Sequence, residues 1–407
     1  MKVKLVALFF GYVWIAPNLL VGQTEPRPVK TLSSPQPIPR EIIIDGEVTL
    51  FAKESELGHT MLQMERHPDG AIYVNGHAAG LFKSIDDGKS WQQIAWKYDP
   101  GGFGISRDGR IWLVTNTTRP QSAVLLICQS SDGGQTWQDQ ILDCGPLAKG
   151  GAQDPYTAAT PDQAYTNFIE RPDGTWMFSC SMRYPDQLDW QNEDQTRPGV
   201  RDVMVRTTDG GKSWGDPTIV HQHCTETEFA EDPRDPDHIL AATRNQRRLL
   251  PGEDEANRVC NFGWEYKNAM LLDSTDGGRT FHVVPHSRSR CYGHRATVLW
   301  TKQDMVVVTR QRGLETPAER AAMGRSGGWL VANISTDGGQ TWVADNGSTT
   351  TAFNKSRDFT LVPPRVGHGV TSPTVELAPN HFLTVYVGGP HPGLSSTIKG
   401  VWWHLEP

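Results

Sequence analysis

Ser335-Thr336-Asp337-Gly338-Gly339-Gln340-Thr341-Trp342 is one of five copies of an octapeptide, Ser/Thr-x-Asp-x-Gly-x-x-Trp/Phe, that recurs along this 407-residue chain. The others run Ser84 to Trp91, Ser130 to Trp137, Thr207 to Trp214 and Ser274 to Phe281, so the aspartates fall at 86, 132, 209, 276 and 337. Each copy reads as a reinforced hairpin. The carboxylate can accept backbone N–H groups of the turn, Gly supplies a positive φ, and the terminal aromatic anchors the turn. An aromatic at a fixed offset after each turn is the periodic signature of propeller blades. Intervals of 46, 77, 67 and 61 residues are too uneven for a tight solenoid but suit one unit per repeat with variable loops.

A second, weaker repeat lies between the octapeptides: a β-rich run, a polar turn and another β-rich run. Its six copies are Met61 to Val74, Phe103 to Val114, Asn167 to Phe178, Phe229 to Ala242, Thr297 to Val308 and Val375 to Val387. The first five are each followed by an octapeptide, so each unit supplies an inner and an outer hairpin, four antiparallel strands in all. The expected fold is therefore all-β, a six-bladed β-propeller over residues 41–407, with every octapeptide on an outer hairpin and its aromatic buried. The sixth unit lacks an octapeptide, and Glu41 to Ile44 is expected to complete that blade, because ring closure removes exposed strand edges. Only Pro317 to Met323 reads as helical.

Residues 1–22 carry Lys2 and Lys4, an apolar run from Leu5 to Leu20, and Gly22 before Gln23, the order of a secretory signal. Residues 23–40, with five prolines, read as a leader. A secreted or periplasmic protein follows, with no membrane attachment once the signal is removed. Six cysteines are spread singly, with no zinc spacing, so neither metal nor cofactor is expected. A net charge of −7 and no basic run argue against a nucleic-acid partner.

In a propeller the inner strands converge on the axis, so polar residues at the ends of the six inner hairpins share one pit. These include His59, Arg66 and His77 from the first unit, Tyr165, Asn167 and Arg183 from the third, and Glu226, Glu228 and Arg244 from the fourth. The fifth supplies His294, Arg295, Arg310, Arg312 and Arg325, and the sixth His368 and Thr371. Several arginines with a few carboxylates suit an anionic ligand, because the guanidinium fork grips a carboxylate in bidentate fashion. The octapeptide aspartates belong to outer turns and are read as structural.

The five octapeptides and six units resemble the Asp-box repeats of the sialidase (neuraminidase) superfamily. That resemblance implies three arginines on a substrate carboxylate, a Tyr nucleophile activated by a Glu, and an Asp acid/base. Glu226 and Arg244 match the Glu and second Arg in type and position. Arg325 precedes Trp329 to Trp342 as the third Arg precedes its repeat, with Arg310 and Arg312 as rivals. Gly58-His59-Thr60-Met61 replaces the stretch of the first Arg, no Asp stands in Gly76 to Leu81, and Thr371 occupies the place of the Tyr. Glu226, His59 and His77 are thus the catalytic candidates. Arg244, Arg310, Arg312, Arg325, His294, His368, Thr371 and Tyr165 are those for binding an anionic carbohydrate. Three readings stay open: a glycoside hydrolase of sialidase type, a lyase acting on uronate-containing glycans through a His or Tyr base, and a carbohydrate-binding propeller without catalysis.

Overall fold

The computed structural model describes residues 37–53, 62–76, 79–94, 101–116, 124–143, 160–163, 166–188, 198–222, 224–247, 266–287, 295–312, 328–344, 346–351, 358–362, 371–388 and 396–406. The signal stretch and the leader up to residue 36, the helical reading at 317–323, and His59, His77, Tyr165, His294, Arg325 and His368 lie outside them. The described residues contain no α-helix: β-branched and aromatic runs between Gly and Asp turns form strands throughout.

Strand β1 (Glu41–Lys53) comes first in the chain and last in the ring. Blade 1 is β2 (Gln63–Arg66), β3 (Ile72–Asn75), β4 (Leu81–Ser84) and β5 (Gln92–Ile94). Blade 2 is β6 (Gly102–Ile105), β7 (Ile111–Asn116), β8 (Val124–Ser130) and β9 (Gln138–Asp143). In blade 3 the inner position is divided between β10 (Thr160–Gln163) and β11 (Ile169–Glu170), both paired to β12 (Trp176–Leu188), followed by β13 (Pro198–Thr207) and β14 (Gly215–Gln222). Blade 4 is β15 (Cys224–Asp232), β16 (Asp235–Arg247), β17 (Tyr266–Ser274) and β18 (His282–Val283).

Blade 5 departs from the expected pattern. After β19 (Ala296–Trp300), β20 (Val306–Arg312) and β21 (Trp329–Ser335), the last residue of the octapeptide and those after it form their own small hairpin, β22 (Trp342–Val343) and β23 (Thr349–Thr350). The fourth strand is β24 (Phe359–Val362), further along the chain. Blade 6 is β25 (Thr374–Ala378), β26 (His381–Gly388) and β27 (Ser396–Glu406), completed by β1 as expected but over a longer stretch, from Glu41 opposite Glu406 to Lys53 opposite Ser396. All six sheets are antiparallel, and the fold is a six-bladed propeller.

The hydrophobic core consists of six layers, each shared by two neighbouring blades. Trp112, Val114 and Leu125 of blade 2 pack on Trp176, Phe178 and Val203 of blade 3. Leu240 and Leu271 of blade 4 pack on Val306 and Val308 of blade 5, and comparable layers join the other pairs, including blades 6 and 1. Apolar side chains on both sheet faces thus find partners only when every blade has two neighbours, which favours a closed ring.

The five octapeptide turns share one hydrogen-bond set. The first hydroxyl donates to the carboxylate (Ser130 to Asp132 at 2.8 Å, Ser335 to Asp337 at 2.8 Å) and accepts the N–H of the fifth-position Gly, as Gly134 shows at 2.8 Å. The seventh residue is Ser or Thr in every copy because its hydroxyl donates to the second carboxylate oxygen: Ser90, Thr136, Ser213, Thr280 and Thr341 all do so at 2.5–2.6 Å. Hydroxyl and backbone donors hold Asp86 and Asp132 down to about 2. The aromatic anchors are less enclosed than expected. Trp342 is buried, whereas Trp91, Trp137, Trp214 and Phe281 are half-buried over their turns, because outer hairpins face solvent on one side.

Candidate active site

The register of blade 4 breaks beside the axis. Thr225 pairs with Arg244 and Glu228 with Ala242, so Glu226 and Thr227 together oppose the single residue Thr243, a β-bulge. Glu226 there has φ 61°, a region that a non-glycine residue enters at a cost of about 1–3 kcal/mol. Its side chain is buried; Oε1 lies 3.0 Å from Nη1 of Arg244, and Oε2 has no hydrogen-bond partner. Arg244 Nη2 donates to Thr225 Oγ1 at 2.9 Å, which leaves Nε unmatched. The pair named from the sequence is therefore in direct contact, and each partner retains one unfilled hydrogen-bonding position.

Further acidic groups surround it. Asp202 of β13 is buried and accepts Ser179 Oγ at 3.3 Å and Thr227 Oγ1; burial pushes it up to about 6, against those donors and the charge of Arg295. Arg295 is fully enclosed and grips Glu228 at 2.5 Å, with Nε and Nη1 unmatched. A cavity of about 260 Å³ between the inner strands has walls that include Glu65, Glu228, Glu231, Thr297 and Thr374; Glu226 and Arg244 are not among its lining residues. Five blades line it. The inner strand of blade 2 is drawn instead against blade 3: Phe103 N–H donates to Thr166 O at 3.1 Å, and Phe168 N–H to Phe103 O at 3.2 Å. Asn167 between them mimics a backbone, its amide exchanging two 2.8 Å bonds with Phe229 of blade 4. Among the described residues no cluster of three or more His, Cys, Asp or Glu is placed to hold a metal.

Enclosure by protein and the nearby Glu228 carboxylate push Glu65 up to about 8. At another blade junction burial alone would lower His238, but hydrogen bonds to Asp232 (3.3 Å) and Asp273 (2.8 Å) outweigh it and raise it to about 9. Both groups bind protons more tightly folded than unfolded. The stability they contribute is complete below their unfolded values, near 4.5 and 6.5, and is lost as pH rises through about 8 and 9. Urea unfolding is expected to show a less stable protein at pH 9 than at pH 6, and Glu65→Gln to reduce that difference. An unchanged pH slope in Glu65→Gln would contradict the reading.

The other candidates divide. Arg310 Nε donates to Asn333 at 3.1 Å and Nη2 to Asp358 at 2.7 Å, while Arg312 lies 3.7 Å from Asp358 and over the ring of Trp329, so both guanidinium groups are engaged by the outer part of blade 5. Arg66 is likewise at the turn end of its strand, donating to Leu377 O at 2.7 Å. Thr371 is fully buried and donates to Leu62 O at 2.5 Å, stitching blade 6 to blade 1. Thr371→Ala is accordingly expected to lower stability by about 1 kcal/mol and to keep kcat within about tenfold, a barrier change of about 1.4 kcal/mol. Urea midpoints and kcat measured together test this; complete loss of activity in a folded variant would refute it. Asp202, Thr227 and Glu65 were not singled out from sequence. Asp202 has only a weak signature, one acid ahead of Val203-Met204-Val205.

Solved structures of the same architecture cover nearly the whole chain. A protein of unknown function from Dyadobacter fermentans superposes with a TM-score of 0.56 at 15% identity, over 90% of this chain and 99% of that one. A Hadza microbial sialidase gives 0.52 at 14% identity, over 83% and 65%. An α-L-arabinofuranosidase of Fusarium graminearum, solved with an iminosugar inhibitor, gives 0.51 at 13% identity, over 88% and 97%. The likeness is one of fold. No protein-family model and no curated protein matches the sequence. Among the described residues no helix is long and apolar enough to cross a membrane.

Proposed function

We propose that this chain is a secreted glycoside hydrolase of the sialidase type that releases a terminal carboxylated sugar, with Glu226 at the reacting centre. The observation that carries the reading is the presentation of Glu226: a buried acid in a left-handed bulge beside the propeller axis, one oxygen held by Arg244 and the other unmatched. Backbone strain retained at such a point is characteristic of functional positions. With Oε1 fixed by Arg244, Oε2 is the oxygen left to take a proton from an attacking water. The part-exposed guanidinium of Arg244, whose Nε is unmatched, supplies positive charge for a substrate carboxylate. The fold is shared with proteins named as a sialidase and an arabinofuranosidase, which supports glycoside chemistry on this scaffold without assigning it.

The test is a panel of aryl glycosides with the purified full chain. Release of the aryl group from an α-sialoside or another carboxylated glycoside is the expected result. Release from an α-L-arabinofuranoside alone would reassign the substrate to a neutral sugar, and a new ultraviolet absorbance on a uronate polymer would favour elimination. Glycan binding without turnover would make the protein a binding propeller.

A further inference from the structure

Glu226 is held from both sides, and the second hold comes from a different blade. On the N-terminal side Arg244 fixes Thr225 Oγ1 at 2.9 Å while pairing with Glu226 itself. On the C-terminal side Thr227 Oγ1 donates to Asp202 Oδ2, carried by blade 3, and lies 2.9 Å from Thr243 Oγ1, the residue opposite the bulge. Ser179 Oγ, on the strand next to Asp202, donates to the same oxygen at 3.3 Å.

Asp202 is only 1% exposed; the charge of Arg295 reaches it, but its hydrogen-bond donors are the hydroxyls of Ser179 and Thr227. A buried carboxyl satisfied by two hydroxyls is an expensive way to join two sheets. Its neighbours Val203, Met204 and Val205 pack as ordinary core and make no use of its charge. What a carboxylate supplies over an apolar residue is a strong acceptor that locks the Thr227 hydroxyl in one direction. Thr227 is half of the bulge, so locking it fixes the backbone that carries Glu226.

We propose that Asp202 is a positioning residue for Glu226, acting through Thr227 to keep the bulge in the register that turns the Glu226 carboxylate to Arg244. The inference rests on the reading of Glu226 as the reacting carboxylate, but its geometric half does not.

The experiment compares Thr227→Val, Thr227→Ser and Asp202→Asn with Glu226→Gln, in the full chain, by crystallography and by kinetics on the cleaved aryl glycoside. In Thr227→Val, residue 226 is expected to leave the left-handed region and to lose its contact with Arg244. The kcat of Thr227→Val should fall about a hundredfold with little change in KM, the size of effect a displacement of about 1 Å produces, and Thr227→Ser should restore it. Asp202→Asn, which keeps an acceptor for Thr227, should show a smaller fall in kcat. A Thr227→Val crystal structure with residue 226 unmoved would overturn the proposal. Wild-type kcat in Thr227→Val and Asp202→Asn beside an inactive Glu226→Gln would overturn it too while leaving the catalytic reading intact. An active Glu226→Gln would instead remove the catalytic reading, with the crystal structures still deciding whether Asp202 holds the bulge.

Discussion

Glu226→Gln should lower kcat by at least about a thousandfold, a barrier increase of about 4 kcal/mol, with the fold retained. The amide fills the same volume and keeps an oxygen for Arg244 Nη1, so the 3.0 Å contact has a neutral replacement. It has no basic oxygen to accept a proton, and that loss is confined to the transition state, which lowers kcat rather than raising KM. Part of the stability is also lost, because Arg244 exchanges a carboxylate for an amide in a buried position, an effect of about 1–3 kcal/mol. Circular dichroism and melting separate that change from the kinetic one. A variant within tenfold of wild type on the preferred glycoside would place the chemistry elsewhere in the ring.

Gly104→Ala should be among the most damaging single-methyl additions in the molecule. A Cβ at Gly104 would lie 2.5 Å from Phe168 Cβ and 3.1 Å from Phe168 N, and neither belongs to the free end of a flexible side chain. Phe168 is fixed by the Phe103 carbonyl and by a tilted ring contact with Phe178 at 5.0 Å, so the inner strands of blades 2 and 3 must separate. Overpacking of this kind costs about 1–3 kcal/mol, and the loss of the Phe103 hydrogen bonds adds to it. Thermal unfolding should fall by several degrees. An unchanged midpoint would show that the two strands separate without penalty.

The fold was legible because the octapeptide encodes its own turn: Ser130, Asp132, Gly134 and Thr136 bond to one another within seven residues, so local sequence suffices. The fourth strand of blade 5 departs from the expected pattern for the opposite reason. Trp342 and Val343 find a closer partner in Thr349 and Thr350, and which of two later runs joins β21 depends on tertiary packing. At the site, Glu226 and Arg244 could be paired from the repeat because they begin and end one inner hairpin. The bulge could not, since nothing in Cys224-Thr225-Glu226-Thr227-Glu228 marks an extra residue in the register. Asp202 was equally hidden: its partner Thr227 lies in another blade, and a single polar residue in a strand does not announce what it faces. Arg310 and Arg312 show the converse, for position at the end of an inner hairpin does not fix the direction of the side chain, and Asp358 draws both outward.

The closure of blade 6 by β1 also determines how the ring responds to force. Glu41 faces Glu406 at one end of the ladder and Lys53 faces Ser396 at the other, so the two outer ends of the clasp lie side by side. Tension between them peels the antiparallel pairs one after another rather than loading them together, because the hydrogen bonds run across the strands. The ring would open as a zipper from Glu41 and Glu406 inward, and each pair released would bare an edge of β27 to other chains.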